Sequence, residues 1–362
     1  MKLFKSLLVA PAVLGLLAPI TAKATEVNLD AISNYYQENI DINSKYFLSD
    51  TDNKSLLLSG GEGLVNDAIT VDSFSSTTSA SFGTNFYVGS VDGSAAEAVT
   101  FTYDFSMDLS TSFTGDDSLD VAVIGGNADT TPVDAYMGGD GGGDALVLDG
   151  ISYTFPVGGA TVIVGDGVGV DDLNTGACAY SAFTDLLGDC GTSNVGGSAD
   201  SGFAIAYDFD NGFTVAGGAA GGDSTSGFFT EEDASTIGLE AAYTTDLYGL
   251  SVAYTDDEAT TYWSIQGMVA PEGYPTLSVG YETDDDEADA IFAGFTFSEV
   301  GPGSVSLGMA STELSTDDLY QYELSYSYPV NDGMTITPGV FIAETADEEN
   351  DTGVVVTTSF SF

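Results

Sequence analysis

The residues that could carry chemistry in this chain are almost all carboxylates. The sequence has 56 Asp and Glu against five basic residues, a formal net charge of −51, and it contains no His. Imidazole is the commonest general base, and it completes the Ser-His and Cys-His pairs of nucleophilic catalysis. We therefore expect a protein that is not an enzyme and needs no cofactor. Nucleic acid is also excluded as a partner, because its phosphates are bound through Lys and Arg.

One segment, 167–202, brings the two cysteines and several acids together. Cys178 and Cys190 are the only cysteines of the chain. In an exported protein a disulfide is the leading interpretation, and two buried free thiols are the alternative. A metal site would need further Cys or His ligands, so no metal is firmly assigned. Four acids of this segment are Asp171, Asp172, Asp185 and Asp189.

Two further acidic runs have two interpretations. The runs are Asp284, Asp285, Asp286 and Glu287, and Asp347, Glu348 and Glu349. Both runs could be solvated loop tips. Alternatively they attract divalent cations that also bridge lipopolysaccharide, since hard cations prefer carboxylate oxygens.

The elements that must position these acids are strands. Apolar residues alternate with polar ones from 99 to 109 and from 320 to 328, and successive side chains of a strand point to opposite faces. An even number of such segments, each roughly ten residues long, predicts an all-β fold, a transmembrane antiparallel β-barrel of about 16 strands. The predicted strands are 80–89, 97–111, 118–124, 145–155, 160–166, 203–209, 213–219, 236–243, 250–255, 261–269, 277–282, 290–297, 304–310, 319–328, 334–343 and 353–362.

Charge is distributed unevenly over the connections between the predicted strands. Counted back from a periplasmic C-terminus, the five outer loops after residue 219 hold 21 acids, Glu282 included, whereas the five intervening turns hold five. Short turns on one side and longer loops on the other are typical of outer-membrane barrels. Segment 167–202 becomes the third outer loop. It either folds into the barrel and narrows it or lies outside over the mouth. In the first case Asp171, Asp172, Asp185 and Asp189 are the candidate constriction residues, and rings of acids favour cations in pores.

The N-terminus is typical of an exported protein. Lys2 and Lys5 precede an apolar run, and small residues at Ala22 and Ala24 mark a cleavage point. We predict a signal peptide (1–24), a periplasmic segment (25–76) and an outer-membrane barrel (77–362).

The C-terminus ends on a strand. Phe360 and Phe362 lie on the apolar face of the last predicted strand. This end closely resembles that of outer-membrane barrels, whose last strand finishes in an aromatic residue that the barrel-assembly machinery recognises.

Several stretches, in order along the chain, resemble the cyanobacterial iron-uptake porins, a branch of the carbohydrate-selective porin family. They are 1–11, 26–33, 76–89, 109–119 and 153–156. The resemblance implies an outer-membrane porin in contact with lipid and lipopolysaccharide, with iron among its cargo, a third loop folded into the barrel and a homotrimer as one expected assembly. Two features depart from the family: no S-layer-homology domain fits in 25–76, and Asp116, Asp117 and Asp120 stand where members carry basic residues.

Two functions from different classes follow. A pore whose acids face no basic residue after Lys54 is expected to pass small hydrophilic solutes and inorganic cations and to select for cations. The alternative is a surface structural or adhesive barrel whose lumen is filled by side chains.

Overall fold

A computed structural model describes residues 77–362, except 94–97, 129–130, 140–142, 197–200, 222–233, 286–287, 314–317 and 346–349. The predicted signal peptide (1–24) and periplasmic segment (25–76) lie outside the described residues. The described chain forms sixteen antiparallel strands that close into a single barrel. This confirms the predicted fold class and the predicted number of strands.

Each strand pairs with its neighbours in sequence, and β1 pairs with β16. The strands are β1 (Thr78–Asp92), β2 (Thr100–Thr111), β3 (Ser118–Gly126), β4 (Val147–Val157), β5 (Ala160–Asp166), β6 (Ser201–Asp208), β7 (Phe213–Gly221), β8 (Ser235–Thr244), β9 (Tyr248–Asp256), β10 (Thr261–Val269), β11 (Thr276–Asp284), β12 (Asp289–Val300), β13 (Gly303–Glu313), β14 (Asp318–Asn331), β15 (Met334–Glu344) and β16 (Asn350–Ser361). The predicted strand ends differ from the observed ones by up to three residues, as at the start of β2. β2 begins at Thr100 because its pairing with β1 ends there, at Gly89, and Val99 lies exposed in the preceding loop.

The barrel closes between its first and last strands. Gly83 is in register with Ser361, and Asp92 is in register with Thr352. Just beyond β16, Phe362 and Phe82 exchange both backbone hydrogen bonds, at 2.8 and 3.1 Å, and their rings stack 5.4 Å apart. Closure therefore leaves no edge strand whose backbone groups need another partner.

The alternation of side chains gives the barrel an apolar outside and a polar inside. In β14, Tyr322 and Leu324 point outward and are 43% and 45% exposed. Glu323 and Ser325 point inward and are 2% and 7% exposed. This arrangement is the reverse of a water-soluble fold, and it is typical of a barrel surrounded by hydrocarbon.

The two rims of the barrel differ. One rim, the short-turn rim, carries the connections 112–117, 158–159, 209–212, 245–247, 270–275, 301–302 and 332–333. At the other, the long-loop rim, the strands end that are joined by the connections 93–99, 127–146, 167–200, 222–234, 257–260, 285–288, 314–317 and 345–349. Turn chemistry explains the tight connection at 209–212, where Gly212 has a φ of 85° and the Asn211 side chain accepts a hydrogen bond from the next strand.

Aromatic side chains on the outer face ring the short-turn rim. Neighbouring pairs with ring centroids 4.7 to 6.5 Å apart are Phe113–Tyr153, Tyr207–Phe209, Tyr243–Tyr248 and Tyr326–Tyr328. Such girdles occur where a barrel crosses the boundary between hydrocarbon and water. No helix in the part of the chain that the structure describes is long and apolar enough to cross a bilayer.

Candidate functional site

Loop 3 is the connection 167–200 between β5 and β6, and its described part, 167–196, runs inside the barrel against the inner wall. The backbone N–H groups of Thr175 and Gly176 donate hydrogen bonds of 2.6 and 2.8 Å to the carboxylate of Glu240 on β8. The next backbone N–H, of Ala177, donates to the side-chain oxygen of Gln266 on β10 at 2.9 Å. The outgoing arm of the loop is therefore held by side chains that project inward from the wall.

The outgoing arm ends at Glu323 on β14. The Glu323 carboxylate accepts hydrogen bonds from the Tyr180 hydroxyl (2.8 Å) and from the backbone N–H groups of Phe183 (2.7 Å) and Thr184 (2.8 Å). The Thr184 hydroxyl adds a fourth hydrogen bond at 2.6 Å. Burial raises the pKa of Tyr180, and the nearby negative charge of Glu323 raises it further. Tyr180 therefore acts as a donor to this carboxylate.

The return arm lies closer to the long-loop rim. The Gln266 amide donates to the backbone carbonyl of Asp189 at 2.9 Å and to the Thr192 hydroxyl at 2.8 Å. Further along, the backbone N–H of Val195 donates to the Glu282 carboxylate at 3.1 Å. Glu282 lies in β11 and is 3% exposed. Its grouping with the outer-loop acids was therefore wrong, because the strand continues through it and turns its side chain into the barrel.

Glycines on the inner wall let the loop lie flat. Gly280 lies against the carbonyl of Cys190, and Gly339 lies against the ring of Phe183. A Cβ atom at either position would overlap the loop, so larger residues there would push it toward the lumen.

A disulfide links the two arms of loop 3. Cys178 on the outgoing arm is bonded to Cys190 on the return arm, and their Cα atoms are 5.9 Å apart. Cys190 is fully buried and packs with Leu187 of the loop and Phe292 of the wall. The bridge and this small core therefore stiffen the middle of the loop.

A second loop, 127–146, also enters the barrel. It carries the only α-helix among the described residues, α1 (Asp134–Met137). Asp134 accepts a hydrogen bond from Thr102 at 2.6 Å, and the Tyr136 hydroxyl donates to Asp351 at 2.5 Å. The entry of this loop into the barrel was not predicted, because the Tyr136–Asp351 contact joins residues 215 positions apart and no local sequence pattern indicates it.

The two loops meet inside the barrel. Val133 of the second loop and Phe183 of loop 3 belong to one buried cluster with Tyr87, Phe341 and Val355 of the wall. The lumen is therefore narrowed from two sides. The inner faces of β2, β3 and β4 keep polar side chains, among them Asp104, Ser106, Asp108, Asp120, Ser152 and Thr154.

The four candidate constriction acids are not gathered in one cluster. Asp171 and Asp189 line a polar cavity of about 270 Å³ between loop 3 and the wall, together with Glu240. Asp185 lies against Gly138 of the second loop. Asp172 is exposed.

Two of these acids, Asp171 and Asp172, have raised pKa values. Burial raises the pKa of Asp171, and the negative charges of Asp172, Asp189 and Glu240 raise it further, against a hydrogen bond from its own backbone that lowers it. The Asp172 side chain is exposed as a whole, but partial desolvation of its carboxyl raises its pKa, and a backbone hydrogen bond from Gly169 opposes the shift.

The pKa of Asp117, on the short-turn rim, is shifted in the other direction. The Tyr153 hydroxyl donates to it at 2.6 Å, and the Thr114 backbone N–H donates at 2.8 Å. These bonds favour the charged form and hold the pKa of Asp117 well below its usual range. At this turn an acid is satisfied by hydroxyl and backbone donors, without a basic partner.

The acidic runs are only partly described. The Asp284 side chain accepts from the backbone of Ala288 at 2.8 Å, and Asp285 accepts from Thr261 at 3.2 Å. Asp286, Glu287, Asp347, Glu348 and Glu349 lie outside the described residues. Among the described residues, no group of three or more His, Cys, Asp or Glu side chains is placed to hold a metal ion.

The barrel is similar to solved bacterial porins. OprB of Pseudomonas putida superposes with a TM-score of 0.60 at 13% identity, over 79% of this chain and 94% of that one. The anion-selective porin from Comamonas acidovorans also gives a TM-score of 0.60, at 14% identity, over 79% of this chain and all of that one. The chain has a porin fold. A mutant of the Rhodopseudomonas blastica porin gives a TM-score of 0.58 at 14% identity, over 79% of this chain and all of that one.

No model of a known protein family matches the chain, and no curated protein matches it significantly. At these identities the similarity shows the porin fold alone.

Within this porin fold, sequence reasoning missed the residues that hold loop 3: Glu240, Gln266 and Glu323. A signal was present in the strands. The other inward positions of β8, β10 and β14 are mostly small or hydroxyl-bearing, so a Glu or Gln in the middle of a strand stands out. A carboxylate in a closed barrel needs donors, and with no basic residue after Lys54 the backbone of an inserted loop supplies them.

Proposed function

We propose that this chain is an outer-membrane porin through which small hydrophilic solutes and inorganic cations diffuse passively. The observation that carries the proposal is the closed sixteen-strand barrel with an apolar outer face and a polar inner face. Barrels of about 16 strands are wide enough for an aqueous channel. Loop 3, held against the inner wall, then sets the width of that channel.

Cation selectivity is the finer part of the proposal. The chain has no basic residue after Lys54, so the acids of the lumen and of the long-loop rim meet no opposing charge. An opening lined by one sign of charge concentrates counter-ions. The Comamonas acidovorans porin, which is anion-selective, has the same fold, so the sign of selectivity depends on the side chains. Iron is a candidate cargo through the resemblance to the cyanobacterial iron-uptake porins.

A second candidate function has its own observation. Loop 3 and the second loop bury apolar side chains within the barrel, Leu187 and Phe183 among them. A lumen filled in this way would suit a surface structural or adhesive barrel. The polar side chains on the inner faces of β2, β3 and β4 favour the porin.

Location and partners complete the proposal. Export by the signal peptide (1–24), recognition of Phe360 and Phe362 by the barrel-assembly machinery, and insertion among lipid and lipopolysaccharide would place the barrel in the outer membrane. The acids at 284–287 and 347–349 would attract divalent cations that bridge lipopolysaccharide. A homotrimer is the assembly we propose. Catalysis, a cofactor and nucleic acid have no part in this function.

The deciding experiment is conductance of the purified protein in a planar bilayer. We expect stepwise, long-lived current increments in KCl, with the same preparation after heat denaturation as the control. Bilayers that contain folded protein but carry no current would favour the filled-lumen alternative.

A further inference from the structure

A groove runs over the outer face of the barrel, across β6 to β10. Its volume is about 1160 Å³, and every outward-facing residue of its lining is apolar or aromatic. We call it the outer groove and define it by Phe203, Ile205, Gly217, Ala219, Ala241 and Trp263.

Small outward residues form the floor of the outer groove. In the β6–β7 pair, Gly217 is in register with Ile205 and Ala219 is in register with Phe203. On β8 the floor continues at Ala241. Residues in register share one face of a sheet, so the large side chains of β6 stand as a ridge beside the small residues of β7.

Two aromatic rings form the opposite ridge. Trp263 of β10 is in register with Tyr254 of β9, and their ring centroids are 4.7 Å apart. Trp263 is 52% exposed and is the only tryptophan of the chain. Its fluorescence therefore reports on this groove alone.

The barrel wall is thin behind the floor. On the inner face, Val170 of loop 3 lies against Gly218 of β7 and Gly238 of β8, where a Cβ atom would overlap it. Small residues thus occupy both faces of β7. Loop 3 covers the inner face, and the outer face is left concave.

The groove lies at the depth of the hydrocarbon. At its short-turn end Phe213 and Tyr243 are in register and join the aromatic girdle. At its long-loop end Asp256 faces outward in register with Ile237 and accepts a hydrogen bond from the Tyr254 hydroxyl at 3.3 Å. Aromatic girdles mark the interfaces of a membrane barrel, and a charged side chain on the lipid face is tolerated only near an interface. The floor lies between these two ends.

The shape of the outer groove selects its occupant. A second barrel is itself convex, so it would rest on the two ridges and leave the floor without contacts, which forfeits dispersion attraction. The strands β6 and β9 are three spacings apart, roughly 14 Å at 4.7–4.9 Å each. Slender, flexible and apolar chains fit into a strip of this width between the ridges.

We propose that the outer groove binds the acyl chains of a single membrane lipid, and that this lipid exchanges more slowly than the lipids around the rest of the barrel. The inference goes beyond solute passage and rests only on the membrane location within the proposed function. The bound chains complete the thin wall behind Val170 and so support loop 3 from outside.

The test is the quenching of Trp263 fluorescence in detergent micelles by a phosphatidylcholine whose acyl chains carry bromine, which quenches tryptophan at contact. With the full native chain we expect quenching that saturates at a single lipid per barrel. Ala241→Phe fills the floor and should abolish the saturating part. The matched control is Ala293→Phe, which makes the same change on the outer face of β12 between Val279 and Met309. It should quench as the native chain does.

Three results would overturn the proposal. Native quenching that only follows the mole fraction of brominated lipid would mean that no lipid is held. An equal loss in Ala293→Phe would mean that the groove is not the site. Unchanged saturation in Ala241→Phe, with a smaller fraction of oligomer, would assign the groove to a second copy of the chain.

KCl conductance, measured on the same preparations, separates this inference from the proposed porin. Normal conductance without saturable quenching refutes the lipid site and leaves the pore. Saturable quenching without conductance supports the lipid site and removes the pore. If Ala241→Phe does not fold, Ala219→Leu fills the same floor and carries the same expectation.

Discussion

The carboxylate of Glu323 accepts hydrogen bonds from both the backbone N–H and the side-chain hydroxyl of Thr184. Glu323 is 2% exposed, and the chain offers no basic residue after Lys54 to pair with it. Burying a charge is costly unless it is hydrogen-bonded. Wall and loop therefore stabilise each other: loop 3 gives this carboxylate its donors, and the carboxylate fixes the place of the loop.

We expect Glu323→Ala to release the end of the outgoing arm. The backbone donors of Phe183 and Thr184 would lose their acceptor, and each buried unpaired group costs about 1–3 kcal/mol. The variant should melt at a lower temperature and give a noisier single-channel current. Glu299→Ala, which removes an exposed acid near the short-turn rim, is the control. Identical noise and melting in both variants would show that Glu323 does not hold the loop.

The disulfide should be formed in the mature protein and should stiffen loop 3. Thiol labelling of the denatured, unreduced protein should modify neither Cys178 nor Cys190, whereas labelling after reduction should modify both. Closing a loop of this size is worth about 3 kcal/mol through the unfolded chain, so the Cys178→Ser/Cys190→Ser variant should melt earlier. Labelling of both residues without reduction would contradict the bridge.

The pKa values of Asp171 and Asp172 determine how we expect cation selectivity to change with pH. Their raised pKa values mean that they take up protons above the ordinary Asp value of about 3.9. The folded state binds these protons more tightly than the unfolded state. The stability from this effect is therefore fully present below the unfolded pKa and is lost as pH rises through the folded pKa.

We expect the cation preference to begin falling, as pH is lowered, before the ordinary Asp range is reached. In Asp171→Asn/Asp172→Asn this early fall should be absent, while Asp210→Asn on the short-turn rim should keep it. The measurement is the reversal potential of each variant under a KCl gradient, repeated across a series of pH values. A double variant with the native pH profile would show that these two acids do not act on the pore.

The fold was predictable because alternation is a local signal. Each strand, such as β14 with Tyr322, Leu324 and Tyr328 on one face, shows its two faces within ten residues. The apolar outside of the barrel repeats this signal in every strand. Sixteen weak local patterns therefore added up to one architecture, and the spacing of the turns fixed the order of the strands.

The lumen was only partly predictable because its contacts are distant in sequence. Thr184 and Glu323 are 139 residues apart, and Tyr136 and Asp351 are 215 residues apart. The composition of loop 3 marked it as unusual. Its path over the wall depends on Gly280 and Gly339, whose role appears only when the loop lies against them.

The four acids of loop 3 should set part of the selectivity. Replacing Asp171, Asp172, Asp185 and Asp189 by Asn should lower the preference for cations, because loop 3 would lose four negative charges. The matched control replaces four acids of the short-turn rim by their amides: Asp210, Asp246, Glu272 and Asp332. If both quadruple variants change the reversal potential equally, net charge and not loop 3 determines selectivity.

We propose a water-filled pore whose charged side chains are all negative. Its most direct test is the reversal potential of the native chain in a bilayer under a KCl gradient. We expect the sign of a cation-selective pore. The preference should weaken as salt rises, because the screening length falls from about 10 Å at 0.1 M to about 3 Å at 1 M. A potential near zero, or one of the anion-selective sign, would contradict the account.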